Sequence, residues 1–303
     1  MLNRRHFLSA AAAVLAASAS VAHADDWKSK YKELTFAVIP AENASGVSDR
    51  YAPFMDYLSK ELGVPVKLRI ANDYAAVIEG QRAGNIHIAY YGPASYSTAY
   101  MTGVKLEPFV TTRNHDGSVG YYSVIYVKAN SPYKDIQDLK GKTIGFVDPN
   151  STSGYNAPRF FLHKIGIDAD SFFAKSVITG SHENGVIALE KGIVDCAADW
   201  WNSDTDSNLT RMVNKGMVKK EDFRVIFKSG LLAGSPYAYL SDLPPELKQA
   251  IQKAFVEAPT KDKAAFDRLS DGKDLEFVPV THKDYETTVE MIQFVNDMRK
   301  KRS

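Results

Sequence analysis

The segment DPNSTSGYNAP, residues 148–158, joins two stretches of different pattern. Residues 142–147 before it alternate like a buried strand, and residues 159–165 after it carry apolar side chains at helical spacing. The three hydroxyl side chains of this hydroxyl turn are Ser151, Thr152 and Ser153. One hydroxyl is enough to cap a helix, so the other two favour a second interpretation, a seat for an anion at the start of the helix. On this stretch alone both interpretations stay open.

The rest of the chain alternates strand-like and helix-like segments. Residues 34–101 have the order β-α-β-α-β, which predicts a parallel sheet covered by helices. A second such set runs from 143 to 228, and the chain then returns with a strand at 235–240 and three helices. This order predicts an α/β protein of two lobes, the first interrupted by the second, with a ligand cleft between them. The predicted divisions are a signal peptide at 1–24, lobe 1 at 25–113, lobe 2 at 114–231, and the return of lobe 1 at 232–303.

The first 24 residues have the features of an export signal. Arg4 and Arg5 precede an apolar, alanine-rich run, and Ala-His-Ala at 22–24 forms a cleavage site before Asp25. The arginine pair resembles a twin-arginine signal, although Asn3 stands where Ser or Thr is usual, so general secretion stays open. The apolar run is too short for a comfortable membrane span. We therefore expect a periplasmic protein that begins at Asp25.

Charge and cysteine content exclude several classes of function. The chain has 37 basic and 36 acidic residues, and removal of the signal takes two arginines and no acids, which leaves 35 against 36 and a net charge of −1. This balance gives nucleic-acid binding no electrostatic support. The single cysteine, Cys196, excludes an intrachain disulfide and is expected to be a buried thiol. Hydrolase, zinc-protease and nucleotide-loop signatures are missing from the sequence, and so is a Cys/His cluster. We expect no catalysis, cofactor or metal.

Three further strand-to-helix turns are expected at the same cleft as the hydroxyl turn. The third strand ends at Tyr90 and Tyr91, Tyr74 begins one helix, and His182 begins another. A histidine in such a place is more often a surface residue, but beside a bound anion its N–H is a natural donor. Tyr74 taken alone would more often be a packing residue.

The segment 198–204 carries two adjacent tryptophans, Trp200 and Trp201, which cannot both face a core. One of them is therefore expected to be exposed or to line a pocket. With Asp199 or Asp204 beside it, this predicted loop could form an aromatic and acidic wall for a cationic group. A partly buried surface loop explains the same residues equally well.

Together these motifs resemble the phosphonate-binding periplasmic proteins of ABC transporters, the phosphate/phosphite/phosphonate binding protein family. The motif at 148–154 is specific, and weaker matches accompany it in the right order over most of the mature chain. Those matches lie at 73–75, 88–92, 120–124, 182–183, 228–229 and 234–236. The resemblance implies the two-lobed type II periplasmic binding protein fold, with the ligand in the interlobe cleft.

The same resemblance implies roles for individual residues. The phosphonate oxygens are expected on the hydroxyl turn, with contributions from Tyr74, Tyr91 and His182. Family members that bind aminoalkylphosphonates hold the ammonium group with two carboxylates, and the matching positions here are Asn202 and Ser235, neither of them acidic. The head-group site is therefore expected to be kept while the tail site differs. The residues expected around the tail are Asp199, Trp200, Trp201, Asn202 and Ser235.

These expectations define a periplasmic solute-binding protein that captures a phosphonate for import by an ABC transporter. One candidate ligand is 2-aminoethylphosphonate, and phosphite, methylphosphonate, phosphate and sulfonates stay open. A remote alternative from another class is a secreted hydrolase that uses Ser151 with His182. The expected partners are the small anion and the transporter permease, and the protein itself is expected to be a monomer.

Overall fold

Residues 26–300 are described by the structure, a computed structural model, and the predicted signal peptide at 1–24 lies outside them. Within this range the strands are β1 (Leu34–Val38), β2 (Val66–Ile70), β3 (Ile88–Tyr90), β4 (Leu106–Asn114), β5 (Tyr122–Lys128), β6 (Thr143–Phe146), β7 (Lys175–Ile178), β8 (Cys196–Ser203), β9 (Asp206–Ser207), β10 (Phe223–Lys228), β11 (Tyr237–Leu240) and β12 (Asp274–Pro279). The α-helices are α1 (Asp26–Lys30), α2 (Ala44–Leu62), α3 (Tyr74–Arg82), α4 (Pro93–Met101), α5 (Ala157–Lys164), α6 (Ala169–Phe172), α7 (His182–Glu190), α8 (Asn208–Asn214), α9 (Pro245–Lys261), α10 (Lys263–Ser270) and α11 (Glu286–Lys300).

The first sheet has the strand order β12-β4-β11-β3-β1-β2. Strands β2, β1 and β3 are parallel, with α2 and α3 as crossovers, which is the β-α-β-α-β unit expected from the sequence. Strands β4, β11 and β12 join it in antiparallel fashion. The sequence pattern does not predict β4, since Thr112 and Asn114 line the cleft and break the apolar alternation. Strand β12 was missed as well.

The second sheet has the order β10-β5-β8-β6-β7, with β9 paired to β8. The structure corrects the prediction of a loop at 198–204, since β8 continues to Ser203. Its backbone pairs with β5 as far as Trp201 opposite Tyr122, and then with β9. Trp200 and Trp201 therefore point to opposite faces of one strand.

Each sheet forms the centre of one lobe, with hydrophobic clusters on both of its faces. A fifth cluster joins the lobes and contains Ala94 on α4, Ala157 on α5 and Met291 on α11. Helix α11 packs against both α4 and α5, so the C-terminal helix connects the two lobes beside the cleft. The first sheet takes strands from before β5 and after β10, as an interrupted lobe requires. The residue-level boundaries of the lobes stay a prediction.

Candidate functional site

The hydroxyl turn lies in the interlobe cleft and has a specific backbone shape. The Ser151 hydroxyl accepts a hydrogen bond from Gly154 N at 3.1 Å, so it acts as the N-cap. The chain then forms a π-helical turn from Thr152 to Asn156 before α5 begins. A side chain at position 154 would collide with Val147, which explains the glycine.

The start of this turn offers hydrogen-bond donors to a ligand. The first N–H groups of a helical turn have no acceptor within it, and they lie at the positive end of the helix dipole. Thr152 Oγ1 accepts a bond from Ala94 N at 2.8 Å, which connects the lobes and leaves the hydroxyl proton to be donated elsewhere. The Ser153 carbonyl accepts from Ser123 Oγ at 2.6 Å, while the Ser153 side chain lines the cleft. The turn is therefore both fixed and open to the cleft.

Two tyrosines, the fully buried Tyr74 and the partly buried Tyr121, contact the hydroxyl turn. Burial raises the pKa of Tyr74, and the hydroxyl of Ser151 beside it partly opposes the rise. Burial likewise raises the pKa of Tyr121, which lies beside the hydroxyls of Thr152 and Ser153. Both phenols stay neutral at physiological pH and can donate to an anion. Tyr121 lies in a segment that carries the family resemblance, but no role was predicted for it.

Tyr90, rather than Tyr91, lines the cleft. Tyr91 is fully buried within lobe 1, and its hydroxyl donates to Gln81 Oε1 at 2.9 Å. Burial raises the pKa of Tyr90, and the Ser235 hydroxyl lies beside it in the cleft. The prediction of Tyr91 as a ligand contact is therefore wrong, because neighbouring residues at the end of a strand face opposite sides of the sheet.

His182 reaches the cleft from the first position of α7. Its Nδ1 lies 2.7 Å from Asp199 Oδ1, but the oxygen is off the hydrogen-bonding direction of the ring nitrogen, so this is a close polar contact and not a hydrogen bond. Asp199 is fully buried and also accepts bonds from Trp200 N at 2.7 Å and Asn208 Nδ2 at 2.8 Å. Asp199 thus orients His182 and does not line the cleft, which corrects its prediction as a tail contact.

The remaining tail predictions divide into two groups. Those that the structure brings to the cleft are Trp200, Asn202 and Ser235. Trp201 lies on the other face of β8, against Tyr122 and beneath Lys228 Nζ, so its prediction as a tail contact is also corrected. Asp204 is exposed in the turn between β8 and β9.

Charged residues that no motif predicts line the same cleft, which encloses about 140 Å³. They are Glu42, Arg50, Arg211 and Asp274. Burial would raise the pKa of Glu42, but the charges of Arg50, Arg211 and Lys215 lower it to about 2. Burial raises the pKa of Asp274 to about 7, although Arg211 opposes the rise. These residues come from both lobes and from distant parts of the chain, so only the fold brings them together.

Two kinds of feature are absent from residues 26–300. No group of His, Cys, Asp and Glu side chains there could hold a metal ion. No helix in the same range combines the length and apolar character needed to cross a bilayer.

Comparison with known proteins gives a consistent result. A family model described as ABC transporter, phosphonate, periplasmic substrate-binding protein matches residues 36–285. The chain is 31% identical to the phosphate-import protein PhnD of Mycolicibacterium smegmatis, with 94% of each chain covered. It is 32% identical to the phosphonates-binding periplasmic protein of Escherichia coli, over 86% of this chain and 78% of that protein.

Comparison with a solved structure supports the same family. The binding protein component of an ABC phosphonate transporter from Pseudomonas aeruginosa superposes with a TM-score of 0.77, at 26% identity and with 86% of each chain covered. This match confirms the predicted two-lobed α/β fold. The relatives are binding or import proteins, which confirms the prediction of a protein without enzymatic activity.

Proposed function

Because this chain belongs to the family of periplasmic substrate-binding proteins of phosphonate ABC transporters, as its motifs predict, we propose that the hydroxyl turn seats the phosphonate group of the ligand. The observation that carries this proposal is the set of N–H and O–H donors around the turn, most of which are buried. Ser151 holds the shape of the turn, and the donors converge on it from both lobes.

An oxyanion in this seat would be bound by hydrogen bonds from neutral groups and by the helix N-terminus. The proposed donors are the first N–H groups of the π-helical turn, the hydroxyls of Thr152 and Ser153, the phenols of Tyr74 and Tyr121, and the imidazole of His182. Such bonds strengthen in a closed cleft from which water is excluded. The N-terminus of a helix adds a field that favours negative charge.

Ligand binding would favour the closed arrangement of the lobes, because the cleft has walls from both. Several hydrogen bonds already span it, including the bond from Ala94 N to Thr152 Oγ1. His182 N donates to Ala41 O at 3.0 Å, and Asn43 N donates to Glu183 Oε2 at 2.8 Å. A ligand that contacts both walls would add to these bonds, and the closed form would then be the one presented to the permease of the importer.

We propose an aminoalkylphosphonate as the ligand, with 2-aminoethylphosphonate as the first candidate. The cleft continues from the hydroxyl turn to Trp200, Arg211 and Asp274, which leaves space that phosphite or methylphosphonate would not fill. Phosphate is the second candidate, since a relative with 31% identity is a phosphate-import protein. A sulfonate would present a similar three-oxygen head group and is the remaining alternative.

A thermal-shift screen of the mature protein tests the proposed function. The panel contains 2-aminoethylphosphonate, methylphosphonate, phosphite, phosphate and methanesulfonate. A ligand that binds only the native state raises the melting temperature, and we expect the largest rise with 2-aminoethylphosphonate. A rise confined to phosphate would select the second candidate, and no rise with any phosphonate would contradict the proposal. Turnover of a p-nitrophenyl ester would revive the hydrolase alternative, which we do not expect because the Ser151 hydroxyl caps the turn.

We further propose that the protein acts in the periplasm as a monomer, with its mature N-terminus at Asp25. The family is one of periplasmic proteins, which supports export. Mass spectrometry of the periplasmic fraction should find a chain that lacks residues 1–24, and the intact chain in the cytoplasm would contradict this.

A further inference from the structure

One carboxyl group that lines the cleft, that of Asp274, is not part of the ion pairs formed by its neighbours. Among residues 26–300, the acidic residues that line the cleft are Glu42 and Asp274. Glu42 is held by Arg50, and Lys215 Nζ donates to its Oε2 at 2.8 Å. Arg211, at the same end of the cleft, pairs with other aspartates. In the part of the chain that the structure describes, Asp274 has no ion-pair partner.

The position of Asp274 suits contact with the tail of a ligand. It begins β12 in lobe 1, where it pairs with Asn114 of β4. Its charge acts on Tyr90, and the Ser235 hydroxyl lies beside both Tyr90 and Tyr121. Tyr121, Ser235, Tyr90 and Asp274 thus line the same cleft as the hydroxyl turn. A ligand with its phosphonate on the hydroxyl turn would extend its tail toward Asp274.

We propose that the Asp274 carboxylate determines tail specificity by accepting hydrogen bonds from a protonated amine. This role depends on the proposed phosphonate seat, which fixes the other end of the ligand. The positions at which the family resemblance implies carboxylates carry Asn202 and Ser235 here. Asp274 supplies an acid from lobe 1, and a bond between ammonium and carboxylate is about twice as strong as a neutral hydrogen bond.

The charges around Asp274 favour a cationic tail over an anionic one. The Arg211 guanidinium lies over the ring of Trp200 at 4.8 Å, and one oxygen each of Asp206 and Asp271 lies 3.7 Å from its nitrogens. The positive charge of Arg211 is therefore already balanced by two carboxylates. An additional carboxylate on the ligand would meet net negative charge, whereas an ammonium group would reduce it.

Selection by Asp274 should depend on pH. Burial raises the pKa of Asp274 to about 7, and Asp206 adds to the rise while Arg211 opposes it. An aliphatic ammonium group keeps its proton to about pH 10, so the ligand amine stays charged while Asp274 titrates. Above about pH 7 the ionised carboxylate accepts from the ammonium group, and below it the protonated acid loses this advantage. The charged and titratable groups that act on Asp274 from neighbouring elements are Arg50 on α2, Tyr90 on β3, Asp206 on β9, Arg211 on α8 and Tyr237 on β11.

Isothermal titration calorimetry with 2-aminoethylphosphonate and methylphosphonate tests this role. The proteins are the wild type, Asp274→Asn and the control Glu276→Gln, each measured at about pH 5.5 and about pH 8.5, on either side of the Asp274 pKa. Glu276 is two residues further along β12, is exposed, and pairs with Arg113 at 2.9 Å outside the cleft. The phosphonate groups of the two ligands titrate alike with all three proteins. A difference between proteins in the ratio of the two affinities therefore reports on the tail of the ligand.

At the higher pH we expect the wild type to bind 2-aminoethylphosphonate at least about tenfold more tightly than methylphosphonate. Asp274→Asn should lose most of this preference, and Glu276→Gln should keep it. At the lower pH the wild type and Asp274→Asn should show the same small preference. Asp274→Glu, which retains the carboxyl, should retain the pH dependence.

Each contrary outcome has a distinct meaning. If methylphosphonate binds and Asp274→Asn leaves the preference unchanged at the higher pH, the role of Asp274 is wrong while the phosphonate seat stands. If neither phosphonate binds the wild type, the proposed function fails first. If Asp274→Asn does not fold, the pH dependence of the wild type still tests the proposal. A preference for 2-aminoethylphosphonate that does not change with pH would overturn the role of Asp274.

Discussion

Replacement of Thr152 by valine removes one hydroxyl from the cleft at nearly constant side-chain volume. Thr152 is 2% exposed, and its oxygen accepts the Ala94 N–H at 2.8 Å. Its proton is proposed to be donated to the phosphonate. Valine would therefore leave one buried N–H without an acceptor and remove one donor from the ligand.

Each loss has an expected magnitude. A buried donor left without a partner costs about 1–3 kcal/mol, so the free energy of unfolding should fall by about that amount. A hydrogen bond to a charged group is worth about 1.5–3 kcal/mol, so the affinity for methylphosphonate should fall by about 10- to 100-fold.

The assays are calorimetric titration with methylphosphonate and unfolding in urea. Thr152→Ser is the matched control, because it keeps the hydroxyl and loses only a methyl group, so its affinity should stay close to that of the wild type. If Thr152→Val lowers stability but binds methylphosphonate as tightly as the wild type, the hydroxyl serves only the contact with Ala94. The reasoning that assigns Thr152 to the ligand would then be refuted.

Three further predictions concern the turn, the closure of the lobes and the Asp274 carboxyl group in the cleft. Gly154→Ala should lower the free energy of unfolding in urea by about 1–3 kcal/mol, because the added methyl group overlaps Val147; an unchanged midpoint would contradict this. Lys215→Met should weaken methylphosphonate binding about three- to tenfold in calorimetry, since Lys215 Nζ donates at 2.8 Å to a carboxylate of each lobe. Lys219→Met, at an exposed position, should have no effect. Asp274→Asn should raise the melting temperature of the ligand-free protein above about pH 7 and leave it unchanged below about pH 4, because the raised pKa makes the wild type lose stability between these values; equal curves at all pH values would contradict it.

Local features of the sequence predicted the hydroxyl turn and the first βαβ unit. The pattern of strand, hydroxyl residues and helix lies within one short segment, so its conformation depends little on distant contacts. Ser151 acts as the N-cap, and Thr152 and Ser153 line the cleft. The π-helical form of the turn was not predicted, because it depends on how Gly154 packs against Val147.

The sequence predicted less well which side of a strand a residue faces and which distant segments are in contact. The family resemblance implies Tyr91 rather than Tyr90, and the sequence of a strand end does not fix which of two neighbours faces the cleft. The segment around Trp200 and Trp201 predicts a loop, because the pairing with β5 and β9 that extends β8 is not visible in the segment itself. Asp274 lies far along the chain from the hydroxyl turn, and only the fold brings it to the cleft.

A crystal structure of the mature protein with methylphosphonate tests the central claim most directly. We expect the phosphonate between the lobes, with its oxygens within hydrogen-bonding distance of Thr152, Ser153 and His182 and its methyl group toward Tyr90. A phosphonate bound outside the interlobe cleft, or one held in the cleft by Arg50 and Arg211 without contact to the hydroxyl turn, would contradict the account.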